Sequence, residues 1–303
     1  MSTSLATVIA APVRYGDAEL ASMAEQIERE AWQDLIAAAP LWIRLSAQLV
    51  AEEIDGALLL ASRGIPNLLF NRVIGLGERQ PATDQQVSSI MDRYWSLGIS
   101  NYWVHAGPYA RSARLGCLLL EHGLKPYRRS WVKMMRPARR VSLAPGEVRV
   151  RRACSSDAHQ LASIVGPAFD LPQTAAELFV SLIGRRGWDV VLAEQHGQAI
   201  AAAGMFADGE MAYLAFAATR PEYQRRGAQR ALMQARINCA SDKGYHWIAT
   251  ETGFPLAADE PSPSYHNMLW AGFRPVAIRD NYAPLGTEWS KVASRTQRAR
   301  VDV

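Results

Sequence analysis

The sequence predicts an α/β fold built in two successive parts, and three observations carry that prediction. Apolar strand-like runs alternate with segments of helical periodicity from residue 16 to residue 279. A helix–glycine–proline step occurs twice, as Gly123-Leu124-Lys125-Pro126 and as Gly272-Phe273-Arg274-Pro275. Upstream of each step stand a strand, a proline and a helix: Leu68 to Gly75, Pro81 and the helix with Met91, then Met211 to Thr219, Pro221 and the helix with Met233. At 303 residues, 49% apolar and 20% charged, the chain is long enough for two domains with cores of their own.

In chain order, residues 16–53 read as helical. Ala21, Ala24, Ile27, Ala31 and Leu35 form one stripe, and Pro40 interrupts before a second run from Leu41 to Ile54. Gly56 to Ser62 reads as a strand, Arg63-Gly64-Ile65-Pro66 as a turn and Asn67 to Leu76 as a strand. Thr83-Asp84 can cap a helix running to Leu97. Strand Ser100 to His105, helix Ala110 to Gly123 and strand Lys125 to Met135 follow, then a basic linker, Arg136 to Gly146, with two prolines.

The second part opens on strand Glu147 to Arg152 and a helix start at Ser155-Ser156-Asp157. Helices cover 157–165 and 174–183, and a hairpin turns at His196-Gly197 between Asp189–Glu194 and Gln198–Phe206. Strand His246 to Thr252, a proline-containing loop, helix Ser264 to Ala271 and strand Phe273 to Arg279 complete it.

Between them lies the most informative stretch, Met211 to Met233. An apolar strand ends at Arg220-Pro221, a polar loop carries Arg225 and Arg226, and after Gly227 the residues Ala228, Ala231, Leu232, Ala235 and Cys239 fall on one helical face. The first N–H groups of a helix lack intrahelical partners, and the helix dipole favours negative charge there. Gly227 admits a close backbone approach, and Arg225, Arg226 and Arg230 add charge, so the turn suits a phosphate or pyrophosphate.

The spacing Gln224-x-x-Gly227-x-Gln229, after Pro221-Glu222-Tyr223, resembles the acyl-CoA pyrophosphate loop of the GNAT N-acetyltransferase superfamily. Gln229 departs from that pattern, which ends in Gly or Ala. The resemblance is carried by motifs in the second half and only by element order in the first. It implies two tandem GNAT-like domains, each a mixed, mostly antiparallel sheet flanked by helices. A degenerate domain covers 1–138, an acetyl-CoA-binding domain 146–287 and a basic tail 288–303. Between Gly75 and Thr83 the first half lacks the phosphate-loop spacing.

By position, the resemblance assigns Ala217, Ala218 and Thr219 to the pantetheine and acyl group of acetyl-CoA. It assigns Gln224, Arg225, Arg226, Gly227, Ala228, Gln229 and Arg230 to the pyrophosphate, and Ser264 and Asn267 to the side of the arm. The reaction implied is direct attack of an amine on the acetyl carbonyl in a ternary complex. For the base, Glu251 stands in an otherwise apolar strand, where burial favours the uncharged acid. It serves either as base or as a carboxylate satisfied by backbone or an arginine. Glu210 is a turn residue by its Asp208-Gly209 context. The family's usual acid, a Tyr four residues before the Gly-Phe step, is replaced by Met268, which leaves Ser264 and Tyr265 as nearby hydroxyls. His266 reads as surface or packing. Asn71, Arg72 and His105 stand near strand ends of the first half, as pocket or packing residues.

Net charge is +4, with no reader motif for nucleic acid, and no apolar run approaches the roughly 20 residues a membrane span needs. Leu5 to Val13 has no Lys or Arg before it, so no signal peptide is expected. Cys117, Cys154 and Cys239 form neither a disulfide framework nor a metal set. The expectation is a cytoplasmic acetyl-CoA-dependent N-acyltransferase without metal. It acts on a small-molecule amine or amino-acid-like substrate, and a homo-oligomer is compatible with it. The alternatives are a non-catalytic CoA-binding protein and a GNAT-fold enzyme of other acyl chemistry.

Overall fold

The computed structural model describes residues 16–110, 114–127, 130–142, 146–255 and 262–287. The segment Leu5 to Val13 and the basic tail lie outside the described residues. The helices are α1 (Asp17–Ala37), α2 (Leu41–Ala47), α3 (Asp84–Ser96), α4 (Leu115–Glu121), α5 (Ala158–Phe169), α6 (Gln173–Val180), α7 (Ala228–Asp242) and α8 (Pro263–Trp270). The strands of the first half are β1 (Leu49–Ile54), β2 (Ala57–Ser62), β3 (Arg72–Ile74), β4 (Trp103–Ala106), β5 (Lys125–Pro126) and β6 (Trp131–Pro137). Those of the second are β7 (Arg149–Arg152), β8 (Trp188–Gln195), β9 (Gln198–Asp208), β10 (Met211–Thr219), β11 (Trp247–Gly253) and β12 (Arg274–Ala283).

All of these strands join one sheet, in the order β1-β2-β3-β4-β12-β6-β11-β10-β9-β8-β7, with β5 paired to β12. The expected pair of separate sheets is thus a single one, because the last strand of each half lies beside the other half. β6 runs antiparallel to β11 along its whole length, from Trp131↔Gly253 to Trp247↔Pro137. β12 runs antiparallel to β4, with Tyr282 opposite Val104. The two exchanged strands pair with each other at the centre. Outward from that centre the halves match: one parallel pair each, β3 with β4 and β10 with β11, then antiparallel neighbours.

Strand side chains alternate faces, so each half shows the helices two surfaces. Leu58 and Leu60 of β2 join a core shared with α1, α2, α5 and α6 of both halves. Ala57, Leu59 and Ala61 face α3 and α4 instead. In the second half α7 and α8 cover the face opposite α1, over Ala212, Leu214 and Ile248. The predicted stripe of α1 is buried as expected, but Glu25 and Glu28 go inside with it.

Several local readings differ from the structure; the single strand predicted from Lys125 to Met135, for one, is two, β5 and β6. The helical run predicted to reach Ile54 stops at Ala47; Gln48 takes a left-handed φ of 49° and the chain turns into β1. The predicted strand from Asn67 is a turn up to Asn71, because two amides outbid the ladder. Asn67 Oδ1 accepts from Leu69 N–H at 2.9 Å, and Asn71 receives Ser62 N–H at 2.8 Å while donating to Ile65 O at 3.1 Å. The predicted cap at Thr83 is present, its Oγ1 accepting from Gln86 N–H at 3.1 Å. The His196-Gly197 turn has positive φ at both residues, which matches strand twist in a tight hairpin.

Candidate functional site

The site begins where two parallel strands part. Met211, Ala212 and Tyr213 of β10 pair with Trp247, Ile248 and Ala249 of β11, and the pairing stops there. β11 continues along β6 while β10 continues along β9, so 214–219 and 250–253 diverge. A bulge at Ala215, between the pairs Leu214↔Met205 and Phe216↔Gly204, adds to the divergence by bending β10.

The bulge is held from both faces. On one, the Phe216 ring meets Phe179 edge-on at 4.9 Å. On the other, the fully buried Arg236 of α7 donates to the carbonyls of Gly204 at 3.1 Å and Phe216 at 3.3 Å. Burial draws the Arg236 guanidinium down to about 9, still a cation at neutral pH. Gly204 is fixed by this packing, since a Cβ there would stand 2.2 Å from Phe216 Cε1. Gly204→Ala is therefore expected to cost about 1–3 kcal/mol by overpacking, read as a lower midpoint in urea unfolding.

β10 delivers the chain to the predicted loop. Pro221–Tyr223 form one 3-10 turn, Arg225 has φ 63°, Gly227 has φ 85°, and α7 starts at Ala228. No side chain caps α7, so its first N–H groups keep their donor capacity. A Cβ at Gly227 would meet nothing within 4 Å, which leaves the approach open. Gln224, Arg225 and Arg226 are exposed, whereas Ala228 is buried as the helix's first anchor. Arg226 lies over the Tyr223 ring at 5.2 Å and Arg230 over Trp270 at 4.0 Å, which ties the start of α7 to the end of α8. Gln229, at the family's small position, donates from Nε2 to Thr219 Oγ1 at 2.8 Å. Its side chain thus leans toward the strand end.

Across the split, Glu251 is nearly buried and ion-paired. Its Oε2 meets Arg279 at 2.8 Å and Lys133 at 3.1 Å, and its Oε1 meets Arg72 at 3.3 Å. Glu28 of α1 binds the same three cations and has no exposed side-chain surface. Glu25 completes the cluster, accepting from Arg279 at 2.9 Å. Burial alone would raise the Glu28 carboxyl, but Arg279, Lys133 and Arg72 together hold it well below the usual carboxylate range. Beside Arg72, His105 is pushed well below its ordinary value, first by burial and then by Arg279 and Arg72. Its contacts suit the neutral ring: Nδ1 lies 2.6 Å from Asn281 Oδ1 and Nε2 lies 3.4 Å from the Arg72 guanidinium. Arg72 and His105 are thus interior members of this network.

The remaining predicted residues lie on α8, which packs on β11. Ser264 is exposed, Tyr265 is half-buried with its ring edge-on to Phe254 at 5.9 Å, and Asn267 is half-buried. Met268 is half-buried and packs against the core that α7 also covers. Among the described residues no hydrogen bond joins Glu251 to Ser264 or Tyr265. His266 is exposed and bonded to Ser262 O at 2.8 Å, and Glu210 pairs with His246 at 3.1 Å on the surface. The ion network escaped the sequence reading. Its signal was a lone charge within each of several apolar strands, most visibly Lys133 in Trp131-Val132-Lys133-Met134-Met135.

Comparisons with known proteins agree with this geometry. Residues 159–257 match the model of the Acetyltransferase (GNAT) family. A GCN5-related N-acetyltransferase from Kribbella flavida shares the fold over 93% of this chain and 99% of its own, with a TM-score of 0.61 and 15% identity. A tandem GNAT protein from the clavulanic acid biosynthesis pathway covers 82% of this chain and 94% of its own, at TM-score 0.55 and 11% identity. A GCN5-related N-acetyltransferase from Sphaerobacter thermophilus covers 67% and 69%, at TM-score 0.53 and 17% identity. Among curated proteins no sequence matches significantly. No helix among the described residues is long and apolar enough to cross a membrane, and none of their side chains cluster as a metal site. The family model thus matches a stretch of the second half that contains β10, the loop and α7, and the solved structures share the fold.

Proposed function

We propose that this chain is an acetyl-CoA-dependent N-acyltransferase that acetylates the amine of a small-molecule or amino-acid-like substrate in a ternary complex. One observation carries the reading: β10 parts from β11 after Tyr213 and runs straight into an open, uncapped, arginine-bearing helix start. That combination fits a ligand with a pyrophosphate at one end and a thin apolar arm at the other. Residues 224–230 would hold the pyrophosphate, and Ala217, Ala218 and Thr219 the arm, with Ser264 and Asn267 alongside. Acetyl-CoA supplies the activated acyl thioester.

The chain's own tasks are to orient and to move protons. A β10 N–H beyond Tyr213, where the pairing with β11 has ended, would stabilise developing oxygen charge. Glu251 is proposed to take the amine proton on Oε1, whose contact with Arg72 is its longest ion pair, while Arg279 and Lys133 fix Oε2. Tyr265 or Ser264 would donate a proton to the departing sulfur, in place of the tyrosine missing at Met268.

We further propose a tandem organisation, 1–138 degenerate, 146–287 cofactor-binding and 288–303 a tail. The matched strand order of the halves supports it, as does the lack of the loop spacing between Gly75 and Thr83. The free thiols of Cys117, Cys154 and Cys239 suit a reducing cytoplasm. No nucleic acid, membrane or metal enters this reading. A second reading, CoA binding without chemistry, is favoured by the ion pairs on both oxygens of Glu251 and by Met268.

Calorimetric titration of acetyl-CoA tests the proposal. The wild type is expected to bind one equivalent and Gly227→Glu none, since a carboxylate there repels phosphate and a side chain strains a φ of 85°. Two sites would overturn the degenerate first half, and no binding to the wild type would remove both readings. Turnover with an amine then separates enzyme from binding protein.

A further inference from the structure

A cavity of about 280 Å³ lies at the opposite end of α7 from the proposed pyrophosphate loop, lined by Arg152, Arg185, Arg186, Trp188, Asp189 and Lys243 among others. Fifteen helical residues separate the two ends of α7, roughly 20 Å at 1.5 Å per residue. The strand ends agree: β10 leaves toward the loop at Thr219, whereas the cavity sits at Trp188, where β8 begins. It is therefore a separate feature of the second half.

Charge decides what it can hold. Asp189, with 4% of its side chain exposed, takes both Arg152 and Lys243. Asp34 takes Arg185 through two bonds, at 2.7 and 2.6 Å, and the Trp188 indole N–H at 2.8 Å. Arg186 is exposed and has no carboxylate partner among the described residues. Four cations thus face two carboxylates, an excess of two positive charges. Donors remain as well: the whole Arg186 fork, the Nη1 of Arg185, the Nε and Nη1 of Arg152 and further protons of Lys243. The C-terminal end of α7 opposes an anion with about half an elementary charge, and Lys243, which stands at that end, outweighs it.

We propose that this cavity is a binding site for a phosphoryl dianion, either inorganic phosphate or the phosphate of a small ester. A phosphoryl group carries about −1.5 to −2 at neutral pH and accepts from forked guanidinium groups, which matches both the charge excess and the donors. Monocarboxylates lack the second charge. The cavity is at the small end for ligand pockets, which limits the occupant to a small metabolite or the ion itself.

The test follows the indole N–H resonance of Trp188, assigned with Trp188→Phe, in the full chain at constant ionic strength. Inorganic phosphate, glycerol phosphate and acetate are titrated in separate arms. Saturable shifts are expected with phosphate or glycerol phosphate and none with acetate. The tighter of the two phosphoryl probes identifies the source. Arg186→Glu, at an exposed position that leaves the core intact, should weaken binding at least about tenfold. Arg226→Glu, at the other end of α7, should leave the Trp188 curve unchanged. Equal shifts with acetate, no saturation with either phosphoryl probe, or an unaltered curve in Arg186→Glu would overturn the proposal.

Discussion

Glu28→Ala is expected to destabilise the protein by about 3–5 kcal/mol, enough to consume a large part of the stability of an ordinary domain. The carboxylate has no exposed surface and faces Arg72, Lys133 and Arg279, each of them buried. Deleting it leaves three cations with only Glu25 and Glu251 to answer them, in a region where water cannot substitute. Loss of an unpaired buried charge's partner is costly in just this way, although the intact cluster need not be worth as much as an apolar one. Urea unfolding monitored by circular dichroism would show the lower midpoint, and a change under about 1 kcal/mol would contradict the account. The pH dependence follows from the same residue. Its folded value is depressed, so its contribution is fully present above the ordinary carboxylate range and is lost as pH falls through the lower, folded value. The wild type is therefore expected to lose stability steeply in acid, and Glu28→Gln to show a shallower slope there.

The second large effect concerns the chemistry. Glu251→Gln is expected to lower kcat by about 10²–10⁴-fold, the loss typical of a missing general base. The same substitution also loosens Arg72, Lys133 and Arg279, so stability must be measured beside activity. The discriminating readout is acetyl-CoA affinity. If Glu251 serves the amine alone, the titration with acetyl-CoA stays unchanged while turnover collapses. A variant that keeps its turnover would make Glu251 a structural ion-pair partner and strengthen the non-catalytic reading.

How much of this was legible depends on how far apart the contributing residues lie. Strand, loop and helix from Met211 to Asp242 are contiguous, and each is written in local terms: an apolar run, a Pro-Glu-Tyr turn, a glycine, a helical stripe. The sequence showed them at their observed places. The ion network draws Glu28, Arg72, Lys133, Glu251 and Arg279 from five elements, so no window of sequence holds even two of its pairs. His105 looked like a strand-end residue because the strand beside it, β12, comes from the far end of the chain, and Arg72 because its partners Glu28 and Glu251 stand on α1 and β11. The strand predicted at Asn67 failed for a different reason, since apolar Leu68 and Phe70 are buried, and Leu69 partly so, in a turn held by asparagine amides. Burial without periodicity is compatible with either state.

The exchange of β6 and β12 also sets a timetable for synthesis. β4 gains its second neighbour only when residues 280–282 have been made, although its own half is complete in sequence by Pro137. A chain emerging from the ribosome would therefore carry β4 as an open edge, and β6 without β11 or β12, through the whole translation of the second half. Such edges invite pairing with other chains. Domains that fold as independent units during translation avoid that interval. Here the interval is built into the strand order. Ribosome-bound chains halted after Pro137 should remain protease-sensitive, and chains extended past Ala283 should become resistant in one step.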